Sequence, residues 1–68
     1  MKVRIRVNGR ETEVEPEATV GRIVDSVVPD RARVAVERNK EIVPRATYDT
    51  TPVAEGDVIE VVTLAGGG

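Results

Sequence analysis

The sequence predicts an α+β fold in which one helix packs across one face of a mixed sheet of four to five strands. Valine and isoleucine dominate the apolar residues of this 68-residue chain, and β-branched residues favour pleated, half-buried strands. The spacing of these residues changes from a period of two to a helical period and back, which marks successive elements. The chain has no cysteine, so apolar packing rather than disulfides must hold the small core together.

The first stretch, KVRIRVNGRETEVE, predicts a β-hairpin. Asn8-Gly9 is the strongest short turn signal, because both positions tolerate a positive φ. The returning strand covers residues 11–14, and Pro16 ends it. Alternate positions on the two strands are predicted to face the core: Val3, Ile5, Val7, Thr12 and Val14.

The next segment predicts the single helix. Thr19 is a suitable N-cap, and Pro29 marks the end of the helical pattern. Because valine and glycine are weak helix formers, packing against the sheet must stabilise this helix. The apolar residues at helical spacing are predicted to form one face: Val20, Ile23, Val24, Val27 and Val28.

The second half predicts three more strand segments and a long connection. Val34 and Val36 alternate on a strand that turns at Asn39-Lys40 and returns through residues 42–43. The stretch that follows is predicted to be irregular, with Tyr48 folded inward as the largest apolar body available. A turn at residues 55–57 then leads into a last strand over residues 58–64.

This order of elements predicts a β-grasp, or ubiquitin-like, fold. The first and last strands are expected to lie side by side and parallel in the centre, with the helix across one face. We expect residues 1–64 to form the β-grasp domain. Residues 65–68 are expected to form a flexible, glycine-rich C-terminal tail.

Composition narrows the function classes. The formal net charge is −2 with acids and bases interspersed, and there is one aromatic residue, so neither a basic surface nor stacking platforms for nucleic acid are expected. No apolar run is long enough for a membrane span, so a cytoplasmic location is expected. Without His or Cys, we expect neither an enzyme nor a metal site.

The last strand predicts a surface for partner docking. If Ile59 and Val61 pack under the helix, the alternate residues lie on the face that no other element covers. Clustered apolar residues without cover typically mark a partner site. The alternatives are an inverted register, or cover by Tyr48 and its loop. The predicted docking surface consists of Val58, Glu60, Val62 and Leu64.

The closing residues, AGGG, allow three interpretations from the residues alone. They are a disordered end, an expression scar, or a carboxylate on a flexible arm that can enter a narrow channel in another protein. Extended fully, residues 65–68 would reach roughly 13 Å beyond the sheet.

Several stretches together resemble a known family: VNG at 7–9, ATV at 18–20, VAVERNKEIVPR at 34–45, Tyr48, EGDVIEVVT at 55–63 and GG at 67–68. In these residues the chain resembles the ThiS/MoaD group of sulfur carriers, which are ubiquitin-like β-grasp proteins ending in Gly-Gly. Within the group it is most similar to the thiamine-pathway type. It departs at Lys40, where relatives commonly have glycine, and at Ala65, where a larger apolar residue is also common.

The resemblance implies that Gly68 carries the chemistry. An E1-like adenylyltransferase of the ThiF type would adenylate its carboxylate with ATP and magnesium, while this chain itself binds no cofactor. Sulfur from a donor such as a cysteine desulfurase would then produce a thiocarboxylate, which a ThiG-type thiazole synthase uses. Gly66 and Gly67 would thread the partner's active site.

Three alternatives to this function remain open from the sequence. In the first, the chain carries sulfur into a different product, for example molybdopterin, cysteine or another thiolated metabolite. In the second, the chain is a ubiquitin-like protein modifier whose Gly68 is joined to a lysine of a target protein. In the third, the chain is an interaction module in which the tail has no role.

Overall fold

The computed structural model describes residues 1–64, which form a five-stranded mixed sheet with one α-helix across one face. The tail, residues 65–68, lies outside the described residues, so its predicted flexibility stays a prediction. Short 3₁₀ helices occupy Arg31–Arg33 and Arg45–Thr50. The main elements are β1 (Val3–Val7), β2 (Arg10–Val14), α1 (Val20–Val27), β3 (Val34–Arg38), β4 (Glu41–Ile42) and β5 (Val58–Thr63).

The strand order is β2-β1-β5-β3-β4, so the last strand of the sequence lies at the centre of the sheet. β1 and β5 run parallel, with Arg6 opposite Val58, whereas the other neighbouring pairs are antiparallel. This arrangement confirms the β-grasp prediction.

Two tight turns connect the hairpins at positive φ. Asn8 and Gly9 have φ values of 50° and 81°, and Asn39 and Lys40 have values of 54° and 72°. These are the turns whose twist matches that of paired strands. Lys40 takes the left-handed conformation at a cost of about 1–2 kcal/mol, because its Cβ crowds the following carbonyl oxygen.

Helix α1 begins as predicted but is shorter than its apolar pattern. The Thr19 hydroxyl accepts a hydrogen bond from the Arg22 backbone N–H at 3.3 Å, which is the predicted N-cap. Val20, Ile23 and Val24 are buried. Val27 lies in the helix as predicted but is 40% exposed. The prediction was wrong for Val28, which leaves the helix with φ −131° although it still packs, partly buried, against the core. The helix ends after about two turns, before the stripe is complete.

The connection after β4 was predicted to be irregular, but part of it, Arg45–Thr50, forms a 3₁₀ helix. Threonine hydroxyls satisfy its carbonyl groups: Thr47 Oγ1 donates to Pro44 O at 2.8 Å, and Thr51 Oγ1 donates to Thr47 O at 2.7 Å. Tyr48 points inward and is 2% exposed, which confirms its predicted burial.

The core lies between the sheet and the layer formed by α1 and the Arg45–Thr50 helix. These covering elements leave the opposite sheet face, called here the open face, in contact with solvent. The largest fully buried side chains come from α1, β3, β5 and the Arg45–Thr50 helix: Tyr48, Ile59, Val20, Val24 and Val36.

Candidate functional site

The residues predicted to carry the chemistry, Gly66, Gly67 and Gly68, lie outside the described residues. Their attachment point is described. Leu64 directly follows β5, and its backbone N–H donates to the carbonyl oxygen of Arg33 at 2.7 Å. The tail therefore begins at a fixed point beside the start of β3.

The two faces of β5 separate as the alternation of its residues predicts. Ile59 is fully buried and Val61 is 7% exposed, whereas Val58, Val62 and Leu64 are 38%, 52% and 50% exposed. An inverted register is therefore wrong. Cover of the open face by Tyr48 is also wrong, because Tyr48 packs in the same core cluster as Ile59. The role of the exposed residues in docking remains a prediction.

Neighbouring strands extend this exposed surface beyond the residues found from the sequence. Ala35 of β3 lies opposite Val62. Ile42 of β4 lies opposite Glu37 and is 66% exposed. In the sequence, the alternation of Val34 and Val36 already places Ala35 and Glu37 on the opposite face of β3 from the core. The β5 residues that lie beside them are known only from the strand register in the structure. We call the resulting aliphatic surface the apolar patch: Ala35, Ile42, Val58, Val62 and Leu64.

The β1–β2 half of the open face has a different character. It carries three cross-strand ion pairs, which we call the ion-pair ladder: Lys2–Glu15 at 2.8 Å, Arg4–Glu13 at 3.6 Å and Arg6–Glu11 at 4.0 Å. The hydrogen bond between Lys2 and Glu15 raises the pKa of Lys2 and lowers that of Glu15. All six side chains are more than half exposed, so each pair contributes little to stability.

The apolar patch encloses an uncompensated pair of acids. Glu37 of β3 lies directly opposite Glu60 of β5. Within residues 1–64, no lysine or arginine forms an ion pair with either carboxylate. Like charges facing each other across strands are destabilising. This half of the open face is therefore aliphatic and locally negative.

Asp57 fixes the start of β5. Its carboxylate accepts hydrogen bonds from Arg38 Nε at 2.8 Å, Asn39 Nδ2 at 3.0 Å and the Ala54 backbone N–H at 2.7 Å. Burial alone raises the pKa of Asp57, but these hydrogen bonds outweigh burial and hold the pKa below its ordinary value. The network joins β5 to the β3–β4 turn.

Residues 1–64 contain no group of three or more acidic, His or Cys side chains that could hold a metal ion. An open groove of about 330 Å³ between α1 and the first hairpin shares no residue with the apolar patch. No helix within residues 1–64 is long and apolar enough to cross a membrane.

Comparison with known proteins identifies the family. The ThiS family model matches residues 3–68. The chain belongs to the ThiS family. The sulfur carrier protein ThiS of Bacillus subtilis is 32% identical over 65 residues, which cover 94% of this chain and 98% of that protein. This finding confirms the resemblance predicted from the sequence.

A ThiS-family crystal structure confirms the fold independently. The thiamine biosynthesis protein ThiS of Geobacter metallireducens superposes with a TM-score of 0.80 at 30% identity, covering 97% of this chain and all of that chain.

Other similar proteins are much longer than this ThiS-family chain. A protein of Paramagnetospirillum magneticum named thiazole synthase is 38% identical over 66 residues, and one of Magnetococcus marinus matches equally well. The match covers 97% of this chain but only 20% of either protein, so the chain spans about a fifth of their length.

Proposed function

We propose that this chain is a sulfur carrier whose C-terminal glycine carboxylate, on Gly68, is adenylated by an E1-like enzyme and converted to a thiocarboxylate. The thiocarboxylate then donates its sulfur to the thiazole ring during thiamine biosynthesis. In this proposal the chain is a co-substrate of its partner enzymes and contributes no catalytic side chain.

One observation carries the proposal: the ThiS family match includes the tail glycines as well as the folded domain. The Bacillus subtilis relative, which is named a sulfur carrier, aligns over nearly its whole length. The two thiazole synthases each contain a segment similar to this chain, which supports a ThiG-type enzyme as a partner.

The chemistry suits a glycine terminus. A carboxylate is a poor electrophile, so transfer of AMP from ATP first converts one oxygen into a leaving group. A persulfide from a cysteine desulfurase then forms the C–S bond as AMP leaves, and a thiol reductant cleaves the S–S bond to release the thiocarboxylate. Gly66 and Gly67 present no side chain to a narrow channel, and their placement there supplies proximity.

The folded domain has a separate task in this proposal, which is to hold the partner while the tail reacts. Val58, Val62 and Leu64 supply exposed aliphatic area along β5, from the start of the strand to the residue at which the tail begins. Glu60 on the same strand contributes charge complementarity and orientation. The adenylating enzyme and the thiazole synthase would use this surface in turn.

Intact mass spectrometry tests the proposal. The chain is incubated with the cognate ThiF-type enzyme, ATP, magnesium, a desulfurase with cysteine, and a thiol reductant that cleaves the acyl disulfide. We expect a mass increase equal to replacement of one oxygen by sulfur, localised to Gly68 by fragmentation, and no increase after deletion of Gly67-Gly68. Failure of the unchanged chain to gain sulfur would contradict the proposal.

The same samples separate the rival functions. Covalent adducts to other proteins on a denaturing gel, without a free thiocarboxylate, would identify a protein modifier. A thiocarboxylate that the cognate ThiG-type enzyme cannot consume would identify a carrier for a different acceptor.

A further inference from the structure

The acidic pair on the open face lies inside the surface that a tail-modifying enzyme would contact. Glu37 and Glu60 face each other across β3 and β5, so their Cβ atoms are about 5 Å apart. Ala35 and Val62 form the next pair along these strands on the same face, towards Leu64. Ile42 lies on the other side of Glu37. Aliphatic side chains therefore flank the two carboxylates on the side of the tail and on the side of β4.

Two cations close to the pair in strand register or in sequence have other partners. Arg6 lies opposite Val58 on the neighbouring strand and pairs with Glu11, with Nη2 4.0 Å from Oε2. Arg38 lies next to Glu37 in sequence and donates to Asp57 from Nε at 2.8 Å. Within residues 1–64 the two carboxylates thus depend on water to weaken their mutual repulsion.

A partner that covers the apolar patch removes that water. Burying two adjacent carboxylates against an aliphatic surface is strongly unfavourable unless the partner supplies a positive charge with hydrogen-bond donors. A guanidinium fits this need, because its planar set of N–H donors can serve two carboxylates at once. A lysine ammonium offers the charge but not the same geometry.

We propose that Glu37 and Glu60 together form a receptor for one arginine side chain of the enzyme that adenylates the tail. This inference rests on the proposed function, since the pair lies within the apolar patch and that patch includes Leu64, after which the tail begins. The pair supplies specificity in two ways: it attracts the arginine-bearing surface, and it penalises apolar surfaces that lack a cation.

The ion-pair ladder provides a matched control. Glu13 lies on the same open face but already pairs with Arg4 at 3.6 Å. Glu13→Gln changes the net charge as much as Glu37→Gln or Glu60→Gln. An effect of overall charge on the encounter would therefore appear in all three variants.

The test measures KM and kcat for the carrier in thiocarboxylate formation by the cognate ThiF-type enzyme. We expect Glu37→Gln and Glu60→Gln each to raise KM about 30-fold, at the lower end for loss of one partner of a desolvated charge pair. The kcat should hold within about twofold, because the reacting tail is unchanged. The double variant should lose less than the product of the two, because one guanidinium serves both carboxylates.

Unfolding of the free variants separates binding from folding. Removing one of two facing like charges should leave the midpoint of Glu37→Gln unchanged or slightly raised, whereas Glu13→Gln should lower it slightly. A KM for Glu37→Gln equal to that of the unchanged chain or of Glu13→Gln would overturn the receptor while leaving the sulfur-carrier function intact. Absence of a thiocarboxylate on the unchanged chain would overturn both.

Discussion

The two halves of the open face share one sheet but differ in how their charges are arranged. On the β1–β2 half, the acids at 11, 13 and 15 each form an ion pair with a basic residue of the ion-pair ladder. On the β3–β5 half, Glu37 faces Glu60, and the remaining exposed positions are aliphatic. The ladder half satisfies its charges within the domain, whereas the patch half has its charges and apolar area available to another molecule.

If the proposed function is correct, this difference assigns stability and partner recognition to different parts of the domain. The ladder half keeps one side of the sheet polar and discourages association there. The patch half includes Leu64, after which the tail begins, so the surface least satisfied within the domain is also the one from which the tail extends. The core on the other face supplies the stability for both halves.

Val61→Asp, expected to have the largest effect, tests whether the patch depends on the core beneath it. Val61 is 7% exposed, so the variant loses aliphatic packing and places a carboxylate in the core. The combined cost of about 3–5 kcal/mol is comparable with the whole stability of a domain this size, roughly 3–10 kcal/mol. Circular dichroism should show a largely unfolded chain, and a folded spectrum would contradict the burial of this face.

Asp57→Asn tests the junction where the two halves meet, because Asp57 fixes the start of β5. Its loss leaves Arg38 without its ion-pair partner; because Arg38 is about a third exposed, we expect a loss of about 2 kcal/mol. The asparagine retains the shape of the side chain and so isolates the charge.

The pH dependence of that loss has a defined sign. The pKa of Asp57 is lowered in the folded state, so its stabilisation is complete above the unfolded value of about 3.9. The stabilisation disappears as the pH falls through the lower folded value. Urea unfolding from neutral to acid pH should therefore show the curves of the unchanged chain and Asp57→Asn converging at low pH. A constant difference would mean that ionisation of Asp57 is not responsible.

Val62→Asp tests the apolar patch directly, on the residue next to Val61 but on the opposite face. Val62 is 52% exposed, so the fold should survive. The new carboxylate joins Glu37 and Glu60 and removes aliphatic contact area, so we expect at least a tenfold higher KM for adenylation, or about 1.4 kcal/mol. Thermal unfolding serves as the control for folding, and an unchanged KM would place the docking surface elsewhere.

Arg4→Ala, expected to have the smallest effect, tests the ladder half. Its side chain pairs with Glu13 at 3.6 Å with both partners mostly exposed, so we expect a loss of about 0.2–0.5 kcal/mol. KM for adenylation should remain that of the unchanged chain. A rise in KM similar to that of Val62→Asp would show that the enzyme contacts both halves, and the contrast between them would fail.

Local patterns predicted the elements that depend on neighbouring residues in sequence. The turn at Asn8-Gly9, the N-cap at Thr19 and the two faces of β5 all follow from short-range rules and are confirmed. The departure of Val28 from the helix did not follow from these rules, because the helix ends at Val27, one residue before its apolar stripe does.

Features that require long-range contacts were not predicted. The 3₁₀ helix at Arg45–Thr50 was missed for a different reason, because the threonine hydroxyls that satisfy its carbonyl groups make local hydrogen bonds that follow no apolar periodicity. The facing pair Glu37–Glu60 and the exposure of Ile42 depend on the registers of β3 with β5 and β4. The sequence identified Glu60 by its parity on the strand, but nothing local indicated which residue would lie opposite it.

The central position of β5 also determines the order in which the domain can fold. β1 and β3 are not neighbours; each pairs with β5, which comes last in the described chain. The Asn8 side chain also needs this strand for its hydrogen bond, because its Oδ1 accepts from the Val61 backbone N–H at 2.8 Å, and Val61 lies 53 residues later in the sequence. During synthesis, the two strand edges therefore remain unpaired until residues 58–63 leave the ribosome. In this interval, the nascent chain is most exposed to aggregation through those edges.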